Sequence, residues 1–231
     1  MDLRRVVVTG LGGVTSLGLD FETTWKALLA GQNGIGAIES FDTKDFKTNF
    51  AGVVRGFVPE QHFEGNEAKK LDRFTQFALI GAADCLKDAR LDPASTDLDR
   101  FGCILGTGIG GIMAIEAQHL DQLERGPRRA SPHFIPKMMP NAMAGQISIA
   151  HGLRGTNFTT NSACASGGSA LAMALRAIQL GEADLILSGG SEAAVTPLSV
   201  AAFNSMKALS TRVDAREKTS RPFDKDRDGF V

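Results

Sequence analysis

Strand-like and helix-like segments alternate along this chain, and that alternation is the feature that most limits its fold. Short β-branched runs are followed by longer helical patterns, and glycine clusters separate them. The predicted strands lie at residues 4–9, 101–105, 156–160 and 184–187. Where strands and helices alternate, each helix connects two parallel strands and covers a face of the sheet. The sequence therefore predicts an α/β fold with a largely parallel sheet.

One segment within that pattern predicts chemistry. The strand at residues 156–160 leads into Asn161-Ser162-Ala163-Cys164-Ala165-Ser166-Gly167-Gly168, and an Ala- and Leu-rich helical stretch follows to Gly181. Unpaired N–H groups and the macrodipole at a helix N-terminus favour a thiolate over a thiol. The pattern therefore indicates that Cys164 is a nucleophile, although a small buried residue at a helix start fits the local pattern equally well.

Charge balance and cysteine count exclude several other classes. The 231 residues include 25 basic and 26 acidic side chains, which indicates neither a nucleic-acid nor a membrane-surface partner. Three irregularly spaced cysteines argue for a reducing compartment. No apolar run approaches the ~20 residues that span a bilayer, and the first residues lack a signal-peptide pattern. We therefore predict a cytoplasmic protein.

Two motifs resemble ligand-binding sequences only in part. Residues 106–111 have the spacing of a dinucleotide-binding loop, but the acidic residue expected about 20 residues later is missing. Residues 224–229 resemble the first half of a calcium loop, yet Arg227 lies among the candidate ligands. The four histidines show no metal-ligand spacing. We therefore predict no cofactor-binding residues and no metal site.

Several segments together resemble the β-ketoacyl-acyl-carrier-protein synthases of the elongating type. The matching segments are residues 6–12, 14–18, 70–74, 106–111, 131–136, 161–168, 208–212 and 221–231. Their order along the whole chain makes the resemblance more specific than any single motif. It implies a thiolase-like fold with an N-terminal βαβαβ-type half, a central mixed sheet and a buried nucleophile helix. It also implies that residues 1–231 are this N-terminal half, cut before a C-terminal half.

The resemblance implies a particular reaction for Cys164. In that family the cysteine takes an acyl chain from the phosphopantetheine thiol of acyl carrier protein, and its backbone N–H helps to hold the oxyanion. Malonyl carrier protein then loses CO₂, and the carbanion attacks the acyl enzyme to lengthen the chain by two carbons. No bound cofactor is implied beyond the carrier's phosphopantetheine. The family's two catalytic histidine motifs do not occur here, so we expect the 231-residue piece alone to be unable to condense.

Four further residues gain expected roles from the same resemblance. Ile109 matches a residue that narrows the acyl pocket, and Phe134 matches an aromatic residue that lines the partner's tunnel in a homodimer. Lys70 and Lys207 match basic positions at which an acidic carrier protein docks. The alternatives are ordinary core packing for the two apolar residues and a solubilising charge for each lysine.

One departure and two rival functions remain open. Asn161 places a polar group where the family often has a small or apolar residue, so the resemblance does not predict the substrate preference of this chain. A non-catalytic chain-length subunit of a ketosynthase heterodimer has the same fold, but such subunits replace the nucleophile, which is retained here. A thiolase relative acting on coenzyme A also has the fold, and residues 210–212 and 221–224 disfavour it.

Overall fold

The computed structural model describes residues 3–231 in two compact units. The first comprises residues 3–13 and 58–193, and the second comprises residues 14–57 and 194–231. The helices are α1 (Phe21–Leu29), α2 (Glu67–Lys70), α3 (Arg73–Asp88), α4 (Ile112–Arg125), α5 (Phe134–Met138), α6 (Ala142–His151), α7 (Ser166–Gln179) and α8 (Pro197–Ser205). The strands are β1 (Gly36–Ala37), β2 (Phe50–Ala51), β3 (Phe101–Gly106), β4 (Asn157–Thr160) and β5 (Leu185–Gly190).

A parallel sheet lies at the centre of the first unit. Its strand order is β4-β3-β5, and Cys103 of β3 lies opposite Asn157 of β4 and Leu187 of β5. Every residue of β3 is buried, as expected for the middle strand of a sheet covered on both faces. The predicted parallel arrangement is therefore confirmed. The predicted mixed sheet is not formed by these three strands, since the antiparallel pair β1-β2 lies in the second unit.

Helices cover the sheet on both faces. Successive side chains of β3 point to opposite faces, and their contacts show which helices cover each face. Phe101, Cys103 and Leu105 point to one side, where they share a hydrophobic cluster with residues of α3 and α6. Ile104 points to the other side and packs with Ala170 and Ala174 of α7. The alanines let α7 approach the sheet closely, so this helix rests directly on β3 and β5.

Helix α7 is buried against the sheet along one face. Ala170 and Ala174 face the sheet. On the adjoining face Leu171 is 55% exposed and Leu175 is 44% exposed. Residues 3–231 therefore leave part of the apolar surface of α7 exposed.

The predicted first strand is absent. Residues 3–9 form no strand, and Val8 is 79% exposed. The following backbone is bound by carboxylates of α3, because Leu11 N–H donates to Asp88 Oδ2 at 2.8 Å and Gly13 N–H donates to Asp84 Oδ2 at 3.3 Å. The prediction for residues 4–9 is therefore wrong: the β-branched run has no neighbouring strand in the described chain.

A buried carboxylate connects the starts of two helices in the first unit. Asp72 caps α3 by accepting the Phe74 N–H, and it also accepts the Ala114 N–H of α4 at 2.7 Å. Burial raises the pKa of Asp72, while hydrogen bonds from Ala114 and Phe74 act in the opposite direction. The position of α4, and of the glycine loop before it, thus depends on this side chain.

The second unit has its own small core and a closed C-terminal turn. Its buried apolar residues are Ile38, Ala51 and Val200. Near the end of the chain, Phe230 bridges to Leu209, and the Asp228 carboxylate accepts from Ser210 Oγ at 2.8 Å. Asp228, one of the aspartates of the calcium-like pattern at residues 224–229, therefore stabilises this turn.

Candidate active site

Two glycines, Gly106 and Gly190, allow helix α7 to begin directly on the ends of β3 and β5. A Cβ on Gly106 would lie 2.7 Å from Gly167 N and still closer to Ser166 O. A Cβ on Gly190 would lie 3.0 Å from both Gly106 O and Gly167 Cα. A methyl group at Gly106 would overlap the backbone of α7, and a methyl group at Gly190 would press closely against backbone atoms. The carboxyl edge of the sheet is thus in contact with the N-terminus of α7.

Cys164 lies on a tight turn between β4 and α7, and its side chain is exposed. Ala165 N–H donates to Ser162 O at 3.1 Å, and Ser166 N–H donates to Ala163 O at 3.1 Å. Ala163 has a φ of 52°, which is in the left-handed region that alanine seldom adopts. The turn therefore holds a strained residue immediately before the cysteine and directs the thiol outward.

A serine network holds that turn. Ser166 Oγ donates to Ala163 O at 2.6 Å and accepts the Ser162 N–H at 3.0 Å, and Ser162 Oγ and Ser169 Oγ are 2.7 Å apart. The Cys164 N–H donates to no acceptor in residues 3–231. A free N–H beside an exposed thiol is one of the donors that stabilise the oxyanion of acyl transfer.

The other two cysteines lie in environments that suppress reactivity. Burial raises the pKa of Cys103 to about 12, and this residue is fully inaccessible. Burial also raises the pKa of Cys85, and the charges of Asp88 and Asp84 add to that effect. The nucleophile predicted from the sequence is therefore the exposed cysteine of the three.

An alkylating reagent should therefore modify Cys164 of the native protein in preference to the buried Cys103. At pH 8 a thiol with a pKa of about 12 is ionised to the extent of roughly 10⁻⁴. We expect iodoacetamide to modify Cys164 at least about 100-fold faster than Cys103. Peptide mapping after brief treatment measures the ratio, and treatment in denaturant is the control in which all three react. Equal rates in the native protein would contradict the described burial.

The glycine loop that follows β3 is anchored by Glu192. The Glu192 carboxylate accepts from Gly108 N–H at 2.7 Å, Ile109 N–H at 3.1 Å and Thr107 Oγ1 at 3.1 Å. Sequence reasoning missed Glu192. The available signal was its position directly after β5, at the same sheet edge as Cys164.

The two predicted acyl-pocket residues lie in different places. Ile109 is 38% exposed on the glycine loop. Phe134, at the start of α5, lines a cavity of about 210 Å³ together with polar groups that include Gln118, Asp121 and Lys137. Ile109 does not line that cavity. Their pocket roles therefore remain predictions.

The two candidate docking lysines are both exposed. Lys70, at the end of α2, pairs with Glu67 at 2.6 Å. Lys207 follows α8 in the second unit, with a φ of 56°. An exposed ion pair such as that of Lys70 contributes little to stability, so its ammonium can exchange partners.

Three of the four histidines lie at the surface, and the fourth lies near the start of β3. His62, His119 and His133 are exposed. His151 lines a cavity of about 300 Å³ beside Phe101, the first residue of β3, whereas Cys164 lies beyond the opposite end of the sheet. No hydrogen bond within the described chain joins a histidine to Cys164.

Parallel strands that end under a helix N-terminus, with an exposed cysteine on the connecting turn, define an α/β protein with a thiol-nucleophile site. Residues 3–231 match the family model "Beta-ketoacyl synthase, N-terminal domain". The chain therefore belongs to the beta-ketoacyl synthase family.

Individual relatives agree with that assignment. The chain is 47% identical over 231 residues to 3-oxoacyl-[acyl-carrier-protein] synthase 2 of Vibrio cholerae, covering 100% of this chain and 56% of that protein. A crystal structure of a beta-ketoacyl synthase from Burkholderia phymatum matches with 32% identity and a TM-score of 0.86, over 100% of this chain and 56% of the other. The ishigamide ketosynthase/chain length factor matches with 29% identity and a TM-score of 0.87, over 98% of this chain and 55% of the other.

These comparisons confirm the thiolase-like α/β fold that the resemblance implies. They also show that the chain spans about half the length of the curated relatives it matches, 56% for the Vibrio cholerae protein. Across residues 3–231, no helix has both the length and the apolar character needed to cross a membrane.

Proposed function

We propose that the full-length protein is a condensing acyltransferase, an elongating β-ketoacyl-acyl-carrier-protein synthase in which Cys164 carries the acyl chain. The observation that carries this proposal is the exposed thiol on a strained turn, next to a free N–H and the N-terminus of α7. The name of the Vibrio cholerae relative supports the same reaction and the same carrier protein.

The first half-reaction uses residues of this chain. The Cys164 thiolate attacks the thioester carbonyl of an acyl carrier protein, and the Cys164 N–H donates to the developing oxyanion. The tetrahedral intermediate collapses, the carbon–sulfur bond to phosphopantetheine breaks, and the released thiolate takes up a proton. Donor and acceptor are both thiols, so the exchange is nearly isoenergetic.

The second half-reaction forms the carbon–carbon bond. Malonyl carrier protein loses CO₂, and the resulting enolate carbon attacks the acyl carbonyl on Cys164. The Cys164 thiolate leaves, and the product is a β-ketoacyl chain longer by two carbons on the carrier protein. We propose that groups stabilising the enolate come from the remainder of the full-length protein, because the chain spans 56% of its Vibrio cholerae relative.

The remaining expectations complete the proposal. Acyl carrier protein is the partner that supplies both substrates, and its phosphopantetheine arm replaces any bound cofactor. Lys70 and Lys207 attract this acidic partner, Ile109 and Phe134 contact the acyl chain, and the working form is a cytoplasmic homodimer. These assignments are supported by the exposure of both lysines and by the family to which the chain belongs.

Acylation measured by intact mass tests the proposal. The full-length protein is incubated with acyl carrier protein or acyl coenzyme A, and the modified peptide is mapped. We expect one acyl group on Cys164, faster transfer from the carrier protein, and release of the acyl group after malonyl carrier protein is added. No acylation would favour a non-catalytic chain-length subunit, and a strong preference for coenzyme A would favour a thiolase.

A further inference from the structure

Hydrogen bonds link the residues that follow the three parallel strands. Asn161 follows β4, the loop with Gly108 follows β3, and Glu192 follows β5. Asn161 Nδ2 donates to Gly108 O at 3.1 Å, and Gly108 N–H donates to Glu192 Oε2 at 2.7 Å. The loop after the middle strand is thus held from both sides by residues that follow the two flanking strands.

That loop needs external contacts to hold one conformation. It contains Gly108 and Gly110, and Gly110 has a φ of 78°, so its backbone has more conformational freedom than an ordinary segment. Glu192 binds three donors of the loop, and hydrogen bonds to a carboxylate are stronger than neutral ones. Asn161 binds the Gly108 carbonyl and connects the loop to the segment that carries the nucleophile.

The loop lies beside the nucleophile. A Cβ on Gly108 would stand 3.0 Å from Glu192 Oε2 and 3.4 Å from the carbonyl oxygen of Ala163, the residue before Cys164. The next residue, Ile109, presents an apolar side chain that is 38% exposed. An acyl chain bonded to Cys164 would leave the sulfur beside this apolar surface, where its burial is favourable.

We propose that Asn161 and Glu192 are positioning residues that hold the loop at residues 107–110 against the nucleophile segment and thereby set acyl chain-length selectivity. The selectivity part rests on the proposed function, whereas the positioning part does not. The identity of residue 161 matters because only a side chain with a hydrogen-bond donor can bind the Gly108 carbonyl from this position.

Amide hydrogen exchange of the full-length protein tests the positioning. Asn161→Ala and Glu192→Ala should speed exchange in residues 107–110 by at least about fivefold, since each removes a restraint on the loop. Asn157→Ala is the matched control. Asn157 also donates through Nδ2, to Ala144 O at 2.9 Å and Ser148 Oγ at 2.7 Å, but does not contact the loop. Unchanged exchange in both test variants would overturn the proposal.

Acylation rates measured with acyl carrier proteins that carry short or long acyl chains test the selectivity. In Asn161→Ala the ratio of kcat/KM for long over short chains should change by about three- to tenfold, the effect of one hydrogen bond. Iodoacetamide, which needs no acyl pocket, should alkylate Cys164 within about twofold of the wild-type rate, because the N-terminus of α7 is intact. Asn157→Ala should leave the ratio unchanged.

The outcomes separate this proposal from the proposed function. Acylation that changes equally for all chain lengths, or alkylation that falls in parallel, would overturn the selectivity role. A wild-type protein that accepts no acyl donor would overturn the proposed function instead. Hydrogen exchange would then still decide whether Asn161 and Glu192 position the loop.

Discussion

Cys164→Ser in the full-length protein should abolish acyl transfer while leaving the fold intact. The serine hydroxyl ionises far less readily than a thiol, and no histidine hydrogen-bonds to this position within the described chain to act as its base. We expect the rate of acylation to fall at least about 10³-fold. Because Cys164 is exposed, the free energy of unfolding should change by no more than about 0.5 kcal/mol.

The measurement combines intact mass with a thermal melt. Acyl carrier protein is added to wild type and variant, and the fraction acylated is followed over time. Cys85→Ser is the control, since it removes a thiol of raised pKa from α3, outside the candidate site. An acylated Cys164→Ser protein with wild-type kinetics would mean that another residue is the nucleophile.

The features that sequence could predict depend on local patterns. Alternating strand and helix periods indicate the parallel sheet. The position of Cys164 on the turn before α7 was predictable because the end of a strand and the start of a helix are both visible in the surrounding residues. Each of these signals comes from a few neighbouring side chains, so no knowledge of distant contacts is required.

The features that sequence could not predict depend on distant partners. The valines at residues 6–8 read as a buried strand, but a strand forms only where another backbone pairs with it, and Val8 is 79% exposed. Glu192 contacts a loop 84 positions away in the chain, so no local pattern indicates its role. The exposed face of α7 likewise depends on what packs against it, which a helical period does not reveal.

The contact between β3 and α7 leads to the second large effect, that of Gly106→Ala. The added methyl group would meet Ser166 O and lie 2.7 Å from Gly167 N, and both are backbone atoms that cannot rotate away. Helix α7 would have to move from the sheet, at a cost of about 3 kcal/mol in unfolding free energy. The midpoint of urea unfolding measures this loss, provided that the slope of the transition is unchanged.

Gly145→Ala is the matched control for that substitution, because it makes the same chemical change where there is space. Gly145 lies within α6, and nothing stands within 4 Å of its added Cβ. Alanine favours the helix over glycine, so this variant should be more stable by about 0.5–1 kcal/mol. Since the turn with Cys164 directly precedes α7, Gly106→Ala should also slow acylation, whereas Gly145→Ala should not. Equal stability and equal acylation in the two variants would show that α7 does not rest on β3 at Gly106, and that the thiol is positioned by some other contact.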